Sequence, residues 1–390
     1  MARALKGGGK RIHGNQGQDF ITVRVRKSNL IEDKHGLKSF IPASLLVYLR
    51  KERMASKRNL TISFCLLLLL LEIGMFAKPR EIIMSKKPAV LQGESDKKEK
   101  TASVSNILVA VGDIMLSRHV GEKIRLKNNP RAPFLATAEL LRNADISFAN
   151  LESPFYNQGA RVTQGMVFKA EPETIEGLKY AGIDIVSLAN NHFGDQGKGG
   201  MEFTFLHLKN NQISYVGAGK NEIEAHQPQI IERKGIRFAF LAYADVSSMT
   251  PEKYRATSTT PGVAWFTPSD LKKDVEEAKQ KADVVIVSIH WGREYQQIAD
   301  DRQKKIGHEI IDAGASVVLG HHPHVIQPYE KYKNGYIFYS LGNFIFDQMW
   351  SEATRRGEIA KLYFKGKEIE KVEVIPVLIE DFYQPRVITK

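Results

Sequence analysis

The amino-acid sequence predicts an α/β fold, on three observations. Short, continuously apolar runs, such as residues 107–111, 284–288 and 317–319, have the length and composition of strands buried on both faces. Stretches with helical spacing of apolar residues lie between them, so strand and helix alternate along the chain. Several runs end directly in polar side chains able to ligate a metal, which is where open α/β sheets place their sites.

The elements follow in order. Residues 107–111 (Ile-Leu-Val-Ala-Val) open the folded part of the chain as a first strand. Helical spacing over 134–143 leads to a second strand at 146–149, Ile-Ser-Phe-Ala. A helix over 173–181 precedes the run 183–188, Ile-Asp-Ile-Val-Ser-Leu, and another helix is expected over 200–210. Residues 238–242, Phe-Ala-Phe-Leu-Ala, form the next strand. Thr267-Pro268 stands before Ser269-Asp-Leu-Lys, so a helix opens there, with Pro268 or Ser269 near its cap, and runs to 282. Strands at 284–288 and 317–319 bracket a helix over 301–313, and 336–339 (Tyr-Ile-Phe-Tyr) closes the series of continuous runs. Residues 369–375 instead alternate apolar with charged residues, the pattern of a half-exposed antiparallel strand. No internal repeat is visible.

At 390 residues and 43% hydrophobic, the chain can bury a substantial core in one large domain or two. Its charge is unevenly placed. Residues 1–100 hold 21 Lys+Arg and 9 Asp+Glu, leaving 35 of each in residues 101–390, so the whole excess of +12 is N-terminal. The neutral remainder lacks the broad cationic footprint that phosphate backbones attract, so no nucleic-acid partner is expected. The basic block precedes an apolar run, residues 60–77, followed by a Lys/Glu/Ser-rich tract, which is the layout of a signal anchor or signal peptide. Its 18 residues are near the lower limit for spanning a bilayer. Bulky Met75 spoils the cleavage site at Ala77, favouring an uncleaved anchor at the cell membrane with the domain extracytoplasmic; cleavage would make the protein secreted. Five segments result: a basic extension over 1–53, disordered or not translated if Met54 is the start; a basic n-region over 54–59; the signal over 60–77; a flexible linker over 78–104; and the folded domain over 105–390. The lone cysteine, Cys65, lies in the apolar run, so no internal disulfide can form.

Asp113 follows the first strand immediately and can hold a metal or cap the next helix. Asn150 and Glu152 flank Leu151, so on a continuing strand they share a face and direct an amide and a carboxylate at a common ion. In Asn190-Asn191-His192 an amide oxygen stands beside an imidazole, and Asp195 either orients His192 or caps a helix. His290 ends a further strand. His321-His322-Pro323-His324 puts three imidazoles within four residues, and the proline turn aims at least two at one point; spacing favours His322 with His324. The metal-ligand set is therefore Asp113, Asn150, Glu152, Asn191, His290, His322 and His324. Carboxylate oxygen and imidazole nitrogen without thiolate suit one or two divalent ions of Zn, Mn or Fe. Such an ion activates water, His192 with Asp195 handles the leaving-group proton, and Arg118, Lys169, Arg293 and Asn343 are candidates for gripping substrate.

In order along the chain, Val111-Gly-Asp113-Ile-Met-Leu, Ala149-Asn-Leu-Glu152, Ala189-Asn-Asn-His192-Phe-Gly-Asp195, Ser288-Ile-His290-Trp-Gly, Gly320-His-His-Pro-His324 and Tyr339-Ser-Leu-Gly-Asn343-Phe resemble the bacterial capsule-synthesis CapA family, associated with poly-gamma-glutamate. The resemblance covers roughly residues 105–350. It implies a calcineurin-like metallophosphoesterase-type domain, a four-layer α/β/β/α sandwich with two central sheets flanked by helices. It also implies a membrane-attached protein facing outward that helps make, anchor or export an anionic polymer. Metallophosphoesterases usually open with an Asp-x-His pair, whereas Asp113 is followed by Ile114 and Met115, and Glu152 stands where their bridging Asp would be. Two functions remain open: a metal-dependent hydrolase or transferase acting on anionic capsular polymer or its precursor, and a non-catalytic component that binds polymer or assembles with polymer-synthase subunits.

Overall fold

The computed structural model describes residues 105–245 and 254–388, together with one short strand pair, β1 (Leu30–Glu32) antiparallel to β2 (Lys38–Phe40), in the separate unit Met1–Lys97. The expected n-region, anchor and linker (54–59, 60–77 and 78–104), and the extension over 1–53 apart from that pair, lie outside the described residues. Among the described residues no helix is long and apolar enough to cross a membrane.

Two sheets form the centre of the folded unit. The first contains β3 (Ser105–Ile114), β4 (Ile146–Leu151), β5 (Ile185–Ser187) and β6 (Ser214–Val216), all parallel, extended by an antiparallel β16 (Arg356–Lys365), β17 (Glu368–Glu380) and β18 (Gln384–Val387). The second runs in the order β13 (Ile326–Tyr332), β14 (Gly335–Leu341), β12 (Val317–His321), β11 (Val284–Trp291), β9 (Ile236–Asp245), β8 (Gln229–Arg233), with its four central strands parallel. A small pair, β7 (Ala218–Gly219) with β10 (Gly262–Val263), stands apart. After β14 the chain crosses to the first sheet through Gly342, and β15 (Asn343–Ile345) pairs in parallel with β3.

Period-2 alternation explains the layering. Along β9, Phe238, Phe240 and Ala242 enter the core between the sheets, where they meet Leu108, Ala110, Ile146 and Phe148 of the first sheet. Their neighbours Ala239, Leu241 and Tyr243 face outward and pack with Leu271, Val275, Ile306 and Ile310. Those last residues belong to two long helices, Pro268–Lys281 and Asp301–Ala313, which cover the second sheet. The outer face of the first sheet, with Val109, Val111 and Val186, is covered by helices that include Arg118–Leu126, Ile175–Ala181 and Gly197–Asn210. The result is helix, sheet, sheet, helix.

Element boundaries differ from the sequence expectation where local chemistry intervenes. The helix expected over 134–143 is split into a 3-10 turn, Ala132–Phe134, and a short helix, Ala138–Arg142. The cap expected at Pro268 or Ser269 is Thr267, whose side chain accepts from the Asp270 amide and leaves Pro268 in the first turn, where its missing N–H costs nothing. Residues 301–313 are helical as expected, fixed by a capping box between Asp300 and Gln303 and ended by Gly314 at φ 116°.

Candidate metal centre

The C-terminal ends of β3, β4, β5, β11 and β12 converge, and strand phase decides which side chains meet there. On β11, Val284 and Ile286 lie between the sheets, and His290 is in phase with them. On β12, His321 is in phase with Val317 and Leu319. Strict alternation on β3 would send Asp113 to the helix side with Val109 and Val111. A bulge between Ala110 and Asp113 resets the phase, setting Asp113 opposite Asn150, which follows Ile146 and Phe148 on the inner face of β4. Gly112 lies in this bulge with its backbone against the sheet crossover: a Cβ there would sit 2.0 Å from the Gly342 carbonyl oxygen, so only glycine fits. His322 and His324, on either side of Pro323, both have left-handed backbone, at φ 96° and 56°. Such strain in non-glycine residues persists only where surrounding contacts hold it.

Glu152 is the hub. It is fully buried, and neither carboxylate oxygen has a hydrogen-bond partner. Around its Oε1 stand Nε2 of His324 at 3.6 Å, of His290 at 3.7 Å and of His192 at 4.0 Å. Two groups, Glu152 with His322 and His324, and Asp113 with Glu152 and His290, each bring one ligand atom per residue to within 4.8 Å of the others in the group. Asp113 meets His321 Nδ1 at 3.1 Å and His324 Nδ1 at 3.2 Å, and accepts from the Asn150 amide at 2.9 Å. Asn191 Oδ1 lies 2.8 Å from His290 Nε2, while Asn190 turns inward, donating to Asn150 Oδ1 and Leu151 O.

Burial dominates the electrostatics. It pushes the Glu152 carboxyl well above the usual range, against an opposing pull from His324. Burial alone would raise Asp113 too, but hydrogen bonds from His321 and His324 outweigh it and hold that carboxyl well below its ordinary value. Burial lowers His290 strongly and His322 to about 3, which favours the neutral imidazole, the form that ligates a metal, at both. His324 goes the other way: burial lowers it, but Glu152 and Asp113 raise it to about 9.

Beside the hub, His192 Nδ1 lies 2.8 Å from Asp195 Oδ2, which also accepts from the Phe168 amide, so Asp195 orients His192 and caps no helix. The Phe168 ring stacks on His192 at 3.8 Å, and the Arg118 guanidinium lies over Phe168 at 4.6 Å. Of the four residues expected to grip substrate, Arg118 reaches this edge of the site but is paired with Asp347 and donates to Gly165 O. The buried Lys169 ammonium donates to the carbonyls of Gln158 and Gly159 and pairs with Glu171 at 3.4 Å. Arg293 is exposed. Asn343 is fully buried: its Oδ1 lies 3.0 Å from His324 Nδ1 and its amide donates to Thr354 O, so it positions an imidazole and is closed to substrate. Sequence reasoning passes over Phe168, Asp347 and Gln348, and leaves His321 unassigned. None of the first three lies in a strand-end motif, and only the folded loops bring them to the site.

The donor set fits a divalent cation. Glu152 Oε1 and Oε2, His321 Nε2 and His322 Nδ1 are all buried without hydrogen-bond partners, a concentration that a closed polar core would not tolerate.

Comparison with known proteins bears out the family resemblance. The family profile described as "Bacterial capsule synthesis protein PGA_cap" matches residues 107–348. The capsule biosynthesis protein CapA of Bacillus anthracis is 31% identical over 86% of this chain and 80% of its own length. The PGA biosynthesis protein CapA of Bacillus subtilis (strain 168) is 33% identical over 70% of this chain and 71% of its own. Among solved structures, a hypothetical protein from Thermus thermophilus covers 69% of this chain and 98% of its own with a TM-score of 0.48 at 18% identity, and no function follows from that likeness. The profile match and these two relatives place the chain in the bacterial capsule synthesis family, and its work in capsule biosynthesis.

Proposed function

We propose that this capsule biosynthesis protein carries a metal-dependent hydrolase or transferase site on a metallophosphoesterase-type domain, held at the outer side of the cell membrane by the segment 60–77. The polymer it serves is poly-gamma-glutamate, as the name of the Bacillus subtilis relative and of the family profile suggests. One observation carries the proposal: a fully buried glutamate with two unpartnered oxygens, ringed by three imidazole nitrogens within 4.0 Å. A bound divalent cation supplies Lewis acidity and an activated water at neutral pH. Glu152, His322 and His324 would hold one ion; Asp113, Glu152 and His290 would hold a second, with Glu152 shared.

The protein's own groups supply the rest. Asp195 accepts the Nδ1 proton of His192, which leaves Nε2 facing the cluster to give or take a proton at the leaving group. Phe168 stacks on that imidazole and fixes its plane. Asn343 anchors His324 through Nδ1 and leaves its Nε2 toward Glu152, while Asn191 Oδ1 stands 2.8 Å from His290 Nε2 as a further oxygen donor beside that nitrogen.

Hydrolysis of a model phosphodiester and of γ-glutamyl polymer, with and without chelator, tests the site. Turnover that needs metal and falls in His192→Ala supports it; turnover indifferent to both removes it. A second reading, a polymer-binding or synthase-docking component without chemistry, draws on Ile114 and Met115, apolar where metallophosphoesterases carry a further ligand. Polymer binding that survives chelation would favour it.

A further inference from the structure

Two large aromatic side chains stand exposed at the mouth of the centre, Tyr295 and Trp350, the latter 63% exposed although tryptophan is ordinarily well buried. Tyr295 and Trp350 meet edge to face, ring centroids 4.8 Å apart, and the Tyr295 ring lies 6.3 Å from the His324 ring. The wall therefore begins one ring's breadth from a candidate metal ligand.

It is also fixed to the centre. The Tyr295 amide donates to Pro323 O at 2.8 Å, tying its loop to the histidine turn. Gln348 donates to the Tyr295 hydroxyl at 3.3 Å and accepts from Asn343 at 3.1 Å, and Asn343 in turn holds His324. Tyr295 itself has left-handed backbone, φ 64°, an uncommon conformation for a bulky residue. Strain and anchoring together keep an aromatic ring at the rim, where burial in the core would otherwise be favoured.

The chemistry of the wall selects what lies against it. Aromatic faces offer flat apolar area on which an uncharged ring stacks. A flexible polyanion has no flat face to stack there, whereas a neutral ring gains contact with the aromatic pair. We infer that Tyr295 and Trp350 wall a subsite for the uncharged ring of a phosphoester whose phosphoryl group lies at the metal centre, an inference that rests on the hydrolase or transferase reading of that centre. A nucleoside phosphate and a sugar phosphate share this chemistry.

Ligand binding to the full chain decides it, read by calorimetry and by quenching of tryptophan emission. Of the chain's 3 tryptophans, Trp291 is fully buried and Trp350 is the most exposed, so a ring at the wall changes chiefly the signal of Trp350. The probes are uridine 5′-monophosphate, glucose 1-phosphate, inorganic phosphate and short poly-γ-glutamate. At least one ring phosphoester is expected to bind about tenfold tighter than inorganic phosphate, a margin in keeping with one aromatic stacking contact. Trp350→Phe should keep most of that margin, and Tyr295→Ala with Trp350→Ala should abolish it; should the double variant fold poorly, Trp350→Ala alone serves, since its side chain is largely in solvent. Ring phosphoesters that bind no tighter than phosphate, or a margin that survives both truncations, overturn the inference. Poly-γ-glutamate binding that requires both rings overturns it too. Metal content measured on the same samples separates the cases: a chain that holds no ion speaks against the centre, and a loaded chain without ring preference speaks against the wall alone.

Discussion

Replacing Glu152 with Gln tests whether the hub is built for a cation. Glu152 is fully buried without a hydrogen-bond partner, so the metal-free fold must either desolvate a charge or keep the carboxyl protonated. An unsatisfied buried polar group costs about 1–3 kcal/mol. Gln keeps the shape, removes the charge and adds a donor facing the imidazoles. Metal-free Glu152→Gln is therefore expected to match the parent or exceed it by up to about 2 kcal/mol. The parent should gain more from metal: an ion at 100 times its dissociation constant adds about 2.7 kcal/mol, or about 4–5 °C in a domain of this size. The variant should lose that gain. Thermal unfolding in chelator and at graded zinc or manganese reads both quantities. A metal-free variant destabilised by more than about 2 kcal/mol, with a parent whose Tm ignores metal, would refute the reasoning, because Glu152 would then be an ordinary core carboxylate.

Other consequences follow from the same geometry. His324, raised to about 9 by Glu152 and Asp113 against the effect of burial, must release its proton to ligate; metal affinity should therefore rise about tenfold per pH unit from 7 to 9, and calorimetry showing a flat profile would contradict its role as a ligand. Asp195→Asn replaces an acceptor-only carboxylate with an amide that can donate to His192 Nδ1, so the tautomer is no longer fixed and turnover of a phosphodiester should fall roughly 10²–10⁴-fold with metal content unchanged; unaltered turnover would take the pair out of the chemistry. Gly112→Ala forces a Cβ against Gly342 O, 2.0 Å away, and should destabilise the fold by about 1–3 kcal/mol or more; an unshifted urea midpoint would show that the bulge relaxes freely.

Much of the centre is legible in the sequence because continuous apolar runs mark strands buried on both faces, and their last residues mark the sheet ends. His290 and Asn150 follow from counting by two along β11 and β4. Asp113 does not: counting by two sends it to the wrong side, and the bulge that returns it arises from the close approach of Gly112 to Gly342, residues far apart in the chain. Asn343 looks like a contact for substrate because it ends a strand, yet the crossover from β14 to β15 turns it onto His324. The cations expected at the mouth mislead for a related reason. Lys169 is taken up by Glu171, two residues on, and Arg118 by Asp347, and nothing in local spacing announces the second pair, which spans 229 residues. The aromatic rim is equally invisible, since Tyr295 and Trp350 sit in irregular loops without period.

Anomalous diffraction from crystals of the chain grown with manganese tests the central claim most directly. A peak within bonding distance of Glu152, shared with His322 and His324 or with Asp113 and His290, is the expected result. No peak at Glu152, or manganese only on surface carboxylates, would contradict a metal centre at these strand ends.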